Sequence, residues 1–329
     1  MKQFTVVVTD AVSPSLDIER SVLGAVGAHL MTLQATREDE LLEAVEDADG
    51  LLVCYAPVTQ RVIERASRCR VIARYGIGVD NVDLQAAAAR GIVVTNVPDY
   101  CIEEVSDHAL ALILACARRV VHLDRLVHTG RWDPKDALPI RRLQGQVLGL
   151  VGFGKIPRRV AAKAAGVGLL PVTFDPFVDA ATCAAHGAKK VDLSTLLTEA
   201  DFVSVHAPLT AQTRGLIGDA QLRRMKPTAF LINTARGPVV REAALVKALQ
   251  AGWIAGAALD VVETEPLPPT HPLMTLPQVL LTPHVAFYSQ ESMQELQRKA
   301  AEEVARVLTG HAPHYAVPLP SVPMSQGGR

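Results

Sequence analysis

Residues 147–157 read VLGLVGFGKIP and are followed by an alanine-rich segment, a second apolar run and then Asp175. A short apolar run that enters a Gly-x-Gly turn and leaves into a helix-forming segment is typical of a dinucleotide-binding site. Gly152 permits the turn, and Gly154 lets the backbone approach a pyrophosphate, whose charge unpaired N–H groups and the helix dipole stabilise. Asp175 lies at about the 20-residue distance at which an acidic residue binds the adenosine ribose. We therefore expect NAD rather than NADP, because Asp175 would repel a 2′-phosphate.

The third glycine of the usual Gly-x-Gly-x-x-Gly pattern is replaced by Pro157. Proline is tolerated in the first helical turn, because the N–H that it lacks would be unpaired there. We expect the turn to survive with the helix placed slightly differently. The alternative is a glycine turn in an ordinary α/β protein without a nucleotide, which the preceding strand, the following helix and Asp175 disfavour.

Composition excludes several classes of protein. The chain has 329 residues, 49% apolar content and a net charge of −1, so it has neither a basic face for nucleic acid nor a polybasic membrane segment. Its apolar runs are too short for a signal peptide or for the roughly 18 residues of a membrane span. These features predict a cytoplasmic protein.

The five cysteines occur singly, which favours small buried side chains over disulfides. The histidines and carboxylates form no metal-ligand cluster, so we expect no metal. The proline-rich segment after Gly310 is expected to be extended or disordered, with His311 and His314 solvated.

Short β-branched runs alternate with amphipathic segments in two series, which predicts an α/β protein with two doubly wound parallel-sheet domains. Two helical stretches, 102–126 and 289–308, are placed to carry the chain from one domain to the other. The apolar stripe of the first of these helices also predicts a homodimer. The strand-like runs are 4–9, 51–55, 70–74 and 92–95 in the first series, and 147–151, 170–174, 202–206, 229–233, 256–261 and 279–282 in the second.

Three polar residues follow successive strand-like runs of the second series, where ligands bind in open parallel sheets. Arg236 follows FLIN, Glu265 lies in DVVETEP and His284 follows VLLTP. These three side chains suit the oxidation of a 2-hydroxy acid. Arg236 can bind the carboxylate by two parallel hydrogen bonds, His284 can accept the hydroxyl proton as hydride leaves for nicotinamide, and Glu265 can orient the imidazole.

The chain resembles the D-isomer-specific 2-hydroxyacid dehydrogenases over about residues 51–310. The motifs EEVSDHAL, VGFGKIP and HVAFYS are most similar to the branch that includes the C-terminal binding proteins, some of which are transcriptional corepressors. The resemblance is carried by RYGIGVDNVD (74–83), VTNVPDY (94–100), the glycine turn, HAPLTAQTRGLI (206–217), INTARGPVV (232–240), DVVETEP (260–266) and TPHVAFYS (282–289).

The resemblance implies a fold and a set of site residues. A Rossmann NAD-binding domain (101–289) is expected to be inserted into a flavodoxin-like substrate domain (1–100 and 290–329), with the active site in the cleft between them. Arg236, Glu265 and His284 match the catalytic residues. Substrate contacts are implied at Tyr75, Gly76, Ile77, Arg236 and His284, and Phe287 is expected either to face the substrate side chain or to pack at the domain interface. Cofactor contacts are implied at Gly152, Phe153, Gly154, Lys155, Ile156, Asp175, His206, Pro208, Thr213, Thr234, Ala235, Arg236, Asp260 and His284.

The expected function is NAD-dependent interconversion of a 2-oxo acid and a D-2-hydroxy acid. The alternative is an NAD(H)-binding regulatory or scaffold protein of the C-terminal binding protein type. Phosphoglycerate-type chemistry is a third possibility, and it would need extra cations near the substrate.

Overall fold

The computed structural model describes residues 4–11 and 13–320. The chain forms two compact units. One, the discontinuous unit, contains the residues up to Tyr100 and those from Ser289 onward. The other, the continuous unit, is Cys101–Tyr288. Each has its own parallel sheet, which confirms the predicted fold class.

The sheet of the discontinuous unit has five parallel strands in the order β2-β1-β3-β4-β5, the strand order of flavodoxin-like folds. Strand β2 was not expected from the sequence, because its half-exposed residues AHLMT lack a clear apolar pattern. The strands are β1 (Phe4–Val8), β2 (Ala28–Thr32), β3 (Gly50–Val53), β4 (Val71–Arg74) and β5 (Val93–Thr95), and the helices are α1 (Asp17–Gly24), α2 (Gln60–Arg65), α3 (Leu84–Ala89) and α11 (Gln290–Leu308).

Helix α11 returns the chain to this unit and packs against β3 and β4. Ser289 caps its first turn by accepting a hydrogen bond from the Ser292 amide at 2.9 Å. Beyond the helix the chain runs along β5, where the Val317 amide donates to the Val94 carbonyl at 2.8 Å. The amides of His314 and Tyr315 donate to Glu303, both at 3.0 Å. The expected tail is therefore extended and ordered as far as 320, and residues 321–329 lie outside the described part.

The sheet of the continuous unit has seven parallel strands in the order β12-β11-β10-β9-β6-β7-β8. The order reverses between β6 and β9, and such a switch point is where nucleotides bind in doubly wound sheets. The strands are β6 (Val147–Val151), β7 (Leu170–Phe174), β8 (Lys189–Lys190), β9 (Phe202–Val205), β10 (Phe230–Asn233), β11 (Gly256–Leu259) and β12 (Val279–Leu281). The helices are α4 (Ile102–Arg118), α5 (Val120–His128), α6 (Lys155–Ala165), α7 (Ala180–Ala185), α8 (Leu193–Glu199), α9 (Asp219–Leu222) and α10 (Glu242–Gln250).

The prediction of one helix over 102–126 is wrong. The chain forms α4 and α5 with a break at Arg119, whose φ of 54° lies in the left-handed region. The Arg119 guanidinium donates to the Leu138 carbonyl at 2.8 Å, which holds this residue at the break. The apolar periodicity continues across the break, so the pattern alone does not reveal it.

Two further expectations concern the whole chain. All five cysteines are buried and free, which confirms their interpretation as buried side chains. Within residues 4–11 and 13–320 no helix is long and apolar enough to cross a membrane. The cytoplasmic location stays a prediction.

Candidate active site

The glycine turn after β6 has the backbone geometry that the sequence predicts. Gly152 has a φ of 97°, and a Cβ there would lie 3.0 Å from the Ala207 amide nitrogen, so only glycine fits without strain. A Cβ at Gly154 would meet no described atom within 4 Å. The turn therefore combines one glycine that the fold requires with one that keeps a face of the backbone open.

Pro157 is the third residue of α6 and is buried. The amides of the first helical turn have no partner within a helix, so a proline at this position removes no helical hydrogen bond. The Arg158 amide makes the first bond of the helix, to the Gly154 carbonyl at 3.3 Å. The helix N-terminus is therefore intact, and Lys155 and Ile156 provide its first two amides.

Two residues at neighbouring strand ends complete this part of the site. Asp175 follows β7, and its carboxylate accepts hydrogen bonds from the amides of Phe153 and Phe177, both at 2.8 Å. A carboxylate can accept about four hydrogen bonds, so acceptor capacity remains for ribose hydroxyls. His206 follows β9 with its Nε2 2.8 Å from the Ser204 hydroxyl, and burial lowers the pKa of His206 to about 4. It is therefore neutral at physiological pH.

Four further predicted contacts, Pro208, Thr213, Thr234 and Ala235, lie on loops after β9 and β10. The Thr213 hydroxyl donates to the Pro208 carbonyl at 2.5 Å, which closes the loop after His206. The Ala235 amide donates to Asn233 at 3.0 Å. The buried hydroxyl of Thr234 has no hydrogen-bond partner within the described residues.

These observations test whether the residues fit a dinucleotide. A pyrophosphate and two riboses need an open backbone face, free amides and polar side chains. The structure offers the open face at Gly154, the uncapped start of α6, the acceptor capacity of Asp175 and the unpartnered hydroxyl of Thr234. The residues fit NAD. Asp175, Thr234 and the amides of Gly154 to Ile156 would hold it.

Arg236 lies after β10 on a loop that packs tightly against the loop of Glu265. The Asn233 side-chain amide donates to the Arg236 carbonyl at 3.0 Å. A Cβ at Gly237 would lie 1.9 Å from the Val262 carbonyl oxygen, so only glycine allows the two loops to pack this closely. The sequence therefore fixes the arginine beside the loop that carries the glutamate.

The imidazole of His284 is hydrogen-bonded to Glu265, with 2.6 Å between Nδ1 and Oε2. Burial alone would raise the pKa of Glu265. The hydrogen bond and charge of His284, with smaller contributions from the Val262 amide and from Arg236, outweigh burial and hold this pKa below its usual value. The structure thus brings Arg236, Glu265 and His284 together, with the glutamate ionised at neutral pH.

Asp260 positions the histidine. It is buried and accepts hydrogen bonds from the amides of Val285 and Ala286, both at 2.9 Å, and from the Thr282 hydroxyl at 2.6 Å. His284 itself has a φ of 52°, a conformation that non-glycine residues rarely adopt outside functional sites. The bonds to Asp260 stabilise this loop. The sequence predicted Asp260 as a cofactor contact and did not show this role.

His108 on α4 is a residue that the sequence interpretation missed. Its Nε2 lies 3.0 Å from the Thr282 hydroxyl and 3.6 Å from the Asp260 carboxylate. Because the Thr282 hydroxyl donates to Asp260, it accepts from His108. A histidine inside an amphipathic helix carries no sequence signal for such a contact.

Phe287 packs edge-on against the His284 ring, with 6.1 Å between centroids.

The predicted substrate loop lies after β4 in the discontinuous unit. Tyr75 is buried, its amide donates to the Val53 carbonyl at 2.7 Å and its hydroxyl donates to Glu19 at 2.8 Å. The Gly76 amide donates to the Arg74 carbonyl at 2.9 Å. These bonds use the first two amides of the loop.

Comparison with known proteins agrees with this geometry. Residues 110–286 match the family model described as D-isomer specific 2-hydroxyacid dehydrogenase, NAD binding domain. The chain is 44% identical to a glyoxylate reductase of Korarchaeum cryptofilum over 278 residues, which cover 83% of each protein. It is 39% identical to a D-3-phosphoglycerate dehydrogenase of Archaeoglobus fulgidus over 86% of this chain and 54% of that protein.

Solved structures show the same fold. A D-lactate dehydrogenase of Aquifex aeolicus, complexed with NAD and lactic acid, superposes with a TM-score of 0.85 at 26% identity, covering 93% of this chain and 96% of that one. The chain therefore belongs to the D-isomer specific 2-hydroxyacid dehydrogenase family. It is an oxidoreductase that uses NAD.

Proposed function

We propose that the chain interconverts a 2-oxo acid and a D-2-hydroxy acid, with His284 as acid and base, Glu265 as its partner and Arg236 as the carboxylate-binding residue. The observation that carries the proposal is the 2.6 Å bond between His284 Nδ1 and Glu265 Oε2, on the loop next to Arg236. The same edge of this sheet carries Asp175, after β7, and Thr234, after β10, the residues that fit NAD.

Arg236 would bind the substrate carboxylate through two parallel hydrogen bonds. A guanidinium suits this role because its planar fork matches the two carboxylate oxygens. The contact orients the carbonyl carbon and its oxygen, and orientation of this kind accounts for a large part of the rate of such reactions.

His284 would exchange a proton with the substrate oxygen. Glu265 holds Nδ1, so the proton passes through Nε2, to the carbonyl oxygen during reduction and from the hydroxyl during oxidation. The ionised Glu265 stabilises the protonated imidazole that reduction requires. When bound, the nicotinamide ring supplies or accepts the hydride at the adjacent carbon.

Each unit would have its own part in this function. We assign NAD binding to residues 101–289 and substrate binding to residues 1–100 and 290–329. The Ile77 amide, the remaining amide of the substrate loop, would contact the substrate. Phe287 would orient the His284 ring, as their edge-on packing suggests.

Relatives that are named glyoxylate reductases make small 2-oxo acids the first substrates to test. The experiment follows NADH absorbance with glyoxylate, pyruvate, hydroxypyruvate, phenylpyruvate and 3-phosphohydroxypyruvate. We expect reduction of at least one acid, and the D enantiomer wherever the product is chiral. If every acid is inert while NADH binds, the regulatory or scaffold function of the C-terminal binding protein type replaces this proposal.

We also propose a homodimer formed through α5 and the segment that follows it. Helix α5 has no buried residue, and Val120, Trp132 and Leu138 are exposed, Trp132 by 84%. Monomers seldom expose several large apolar side chains in one segment, so we expect a second copy of the chain to bury these residues. Light scattering should give about twice 35.3 kDa.

Trp132→Glu should shift the mass toward that of the monomer. Phe177→Glu changes another highly exposed aromatic residue of the same unit and serves as the control. A wild-type mass of one chain at micromolar concentration would contradict the dimer.

A further inference from the structure

Three side chains from three parts of the continuous unit form a chain of hydrogen bonds that ends at the loop of His284. His108 Nε2 on α4 lies 3.0 Å from the Thr282 hydroxyl, which donates to Asp260 at 2.6 Å. Asp260 in turn accepts from the amides of the two residues that follow His284, both at 2.9 Å. His108 is thus linked to this loop through two intermediate side chains.

The direction of these bonds follows from the single proton of a hydroxyl group. Both carboxylate oxygens of Asp260 accept from amides, so the proton of the 2.6 Å bond comes from the Thr282 hydroxyl. The hydroxyl oxygen then accepts from His108, which carries a proton on Nε2. The 3.6 Å between His108 Nε2 and the Asp260 carboxylate is too long for a direct hydrogen bond, so the contribution of His108 passes through Thr282.

The loop of His284 needs support because its backbone is strained. Its φ of 52° is a conformation that persists only where the surrounding structure holds it. The His284 amide donates to the Asp260 carbonyl at 2.8 Å, and the next two amides donate to the Asp260 carboxylate. All three bonds depend on one buried residue. The position of Asp260 therefore sets the position of the His284 ring against Glu265.

Helix α4 is well placed to support this chain of bonds. It packs against β10 and β11, the strands that precede the loops of Arg236 and Asp260. The side chain of His108 is only 23% exposed. An unpaired polar group at such a partly buried place costs more than one in water, so the fold favours the bond between His108 and Thr282.

We propose that His108 is a positioning residue of the reaction. Through Thr282 it fixes Asp260, and Asp260 holds the loop that sets the His284 ring against Glu265. This inference rests on the proposed function for the role of His284, whereas the positioning itself is a property of the protein without substrate. His108 is not a catalytic residue, because it acts through other side chains.

Proton NMR of the full chain without ligands tests the positioning apart from turnover. The Nδ1 proton of His284, in a bond of 2.6 Å to a carboxylate, should resonate far downfield and be absent in His284→Ala, which assigns it. We expect this resonance to weaken or move upfield in His108→Leu, because a loosened loop opens the bond to water. His108→Gln, whose side-chain amide can donate to Thr282, should recover part of the signal. His29→Leu changes an exposed histidine on β2 and is the control.

A double-mutant cycle in the kinetics of reduction tests the route through Thr282. His108→Leu should lower kcat about 2- to 10-fold, as loss of one hydrogen bond does. KM should change less, because Arg236 lies on another loop. Thr282→Val removes both bonds of the hydroxyl and should lower kcat further. The double variant should resemble Thr282→Val alone, since the contribution of His108 is already lost with the hydroxyl.

The outcomes separate this inference from the proposed function. If wild type reduces no 2-oxo acid but the resonance weakens in His108→Leu, the proposed function fails and the positioning role stands. An unchanged resonance in His108→Leu overturns the role even if the thermal midpoint falls, because His108 would then only stabilise the fold. Losses of kcat that add in the double variant overturn the route through Thr282. If His108→Leu does not fold, Thr282→Val replaces it, and a wild-type resonance in that variant overturns the inference.

Discussion

Charged side chains at the carboxyl edges of the two sheets differ in their hydrogen bonding. In the continuous unit, His284 and Glu265 are paired at 2.6 Å, and Asp260 accepts three hydrogen bonds from the loop that carries the histidine. In the discontinuous unit, Arg74 is buried, and its Nε has no hydrogen-bond partner within the described residues. The paired set is organised before any ligand binds, as groups that stabilise a transition state must be. Arg74 Nε lacks such an arrangement among the described residues.

A second comparison lies within the continuous unit, which contains another histidine–glutamate pair. His271 Nε2 lies 3.0 Å from Glu242 Oε1, and His271 Nδ1 accepts from the Leu273 amide at 3.3 Å. Both ring nitrogens of His271 are therefore occupied by the fold. A histidine paired with a glutamate is not sufficient for a catalytic site. The role proposed for His284 rests on its place at a strand end beside an arginine.

The largest expected effect separates these two histidines. His284→Ala should lower kcat for reduction by about 10²- to 10⁴-fold, the usual contribution of a general acid. Its affinity for NADH, measured by fluorescence titration, should stay close to that of wild type. His271→Ala is the matched control and should keep most of its turnover. Similar losses in both variants would assign His284 a structural role.

Arg236→Lys should have the next largest effect. An ammonium keeps the charge but cannot make two parallel hydrogen bonds to a carboxylate, so kcat/KM should fall by about 10- to 100-fold. Arg224→Lys is a suitable control, because Arg224 is exposed and contacts the Ser194 hydroxyl. Steady-state kinetics with the best 2-oxo acid make the comparison. Wild-type efficiency in Arg236→Lys would rule out the two-point contact.

Gly154→Ala tests the open face of the glycine turn with a smaller effect. The added methyl group would meet no described atom, so the thermal midpoint should stay near that of wild type. NADH should bind about tenfold more weakly if the pyrophosphate uses this face. Gly24→Ala, which also adds a methyl group into open space, controls for the substitution itself. Unchanged NADH affinity would place the cofactor elsewhere.

The sequence predicted most of the fold because buried parallel strands are short, apolar and regularly spaced. The run 170–174 coincides with β7, and most of the other predicted strands agree to within one or two residues. Strand β2 was missed because its half-exposed residues lack a clear apolar pattern, and β8 was missed because it has only two residues. The break at Arg119 was missed because a left-handed arginine leaves the apolar period intact.

The candidate site was predictable where a residue's role follows from its place at a strand end. Arg236, Glu265 and His284 belong to this group. The role of Asp260 depends on the amides of Val285 and Ala286, which face it in the folded chain. The burial of Arg74 Nε without a partner among the described residues is likewise a three-dimensional relation. Neither relation leaves a pattern along the chain.

The most direct test of the central claim is the pH dependence of both reaction directions in wild type and Glu265→Gln. Because the pKa of Glu265 is held below its usual value, this carboxylate stays ionised at neutral and alkaline pH and its own titration does not shape the profile there. Reduction needs the protonated ring, so its rate falls as pH rises, whereas oxidation needs the neutral ring and gains rate over the same range.

Glutamine removes the charge that stabilises the protonated ring. The pH profiles of both reaction directions should therefore move to lower pH. Profiles that stay in place or move to higher pH would contradict the pairing of His284 with Glu265 on which the proposed mechanism rests.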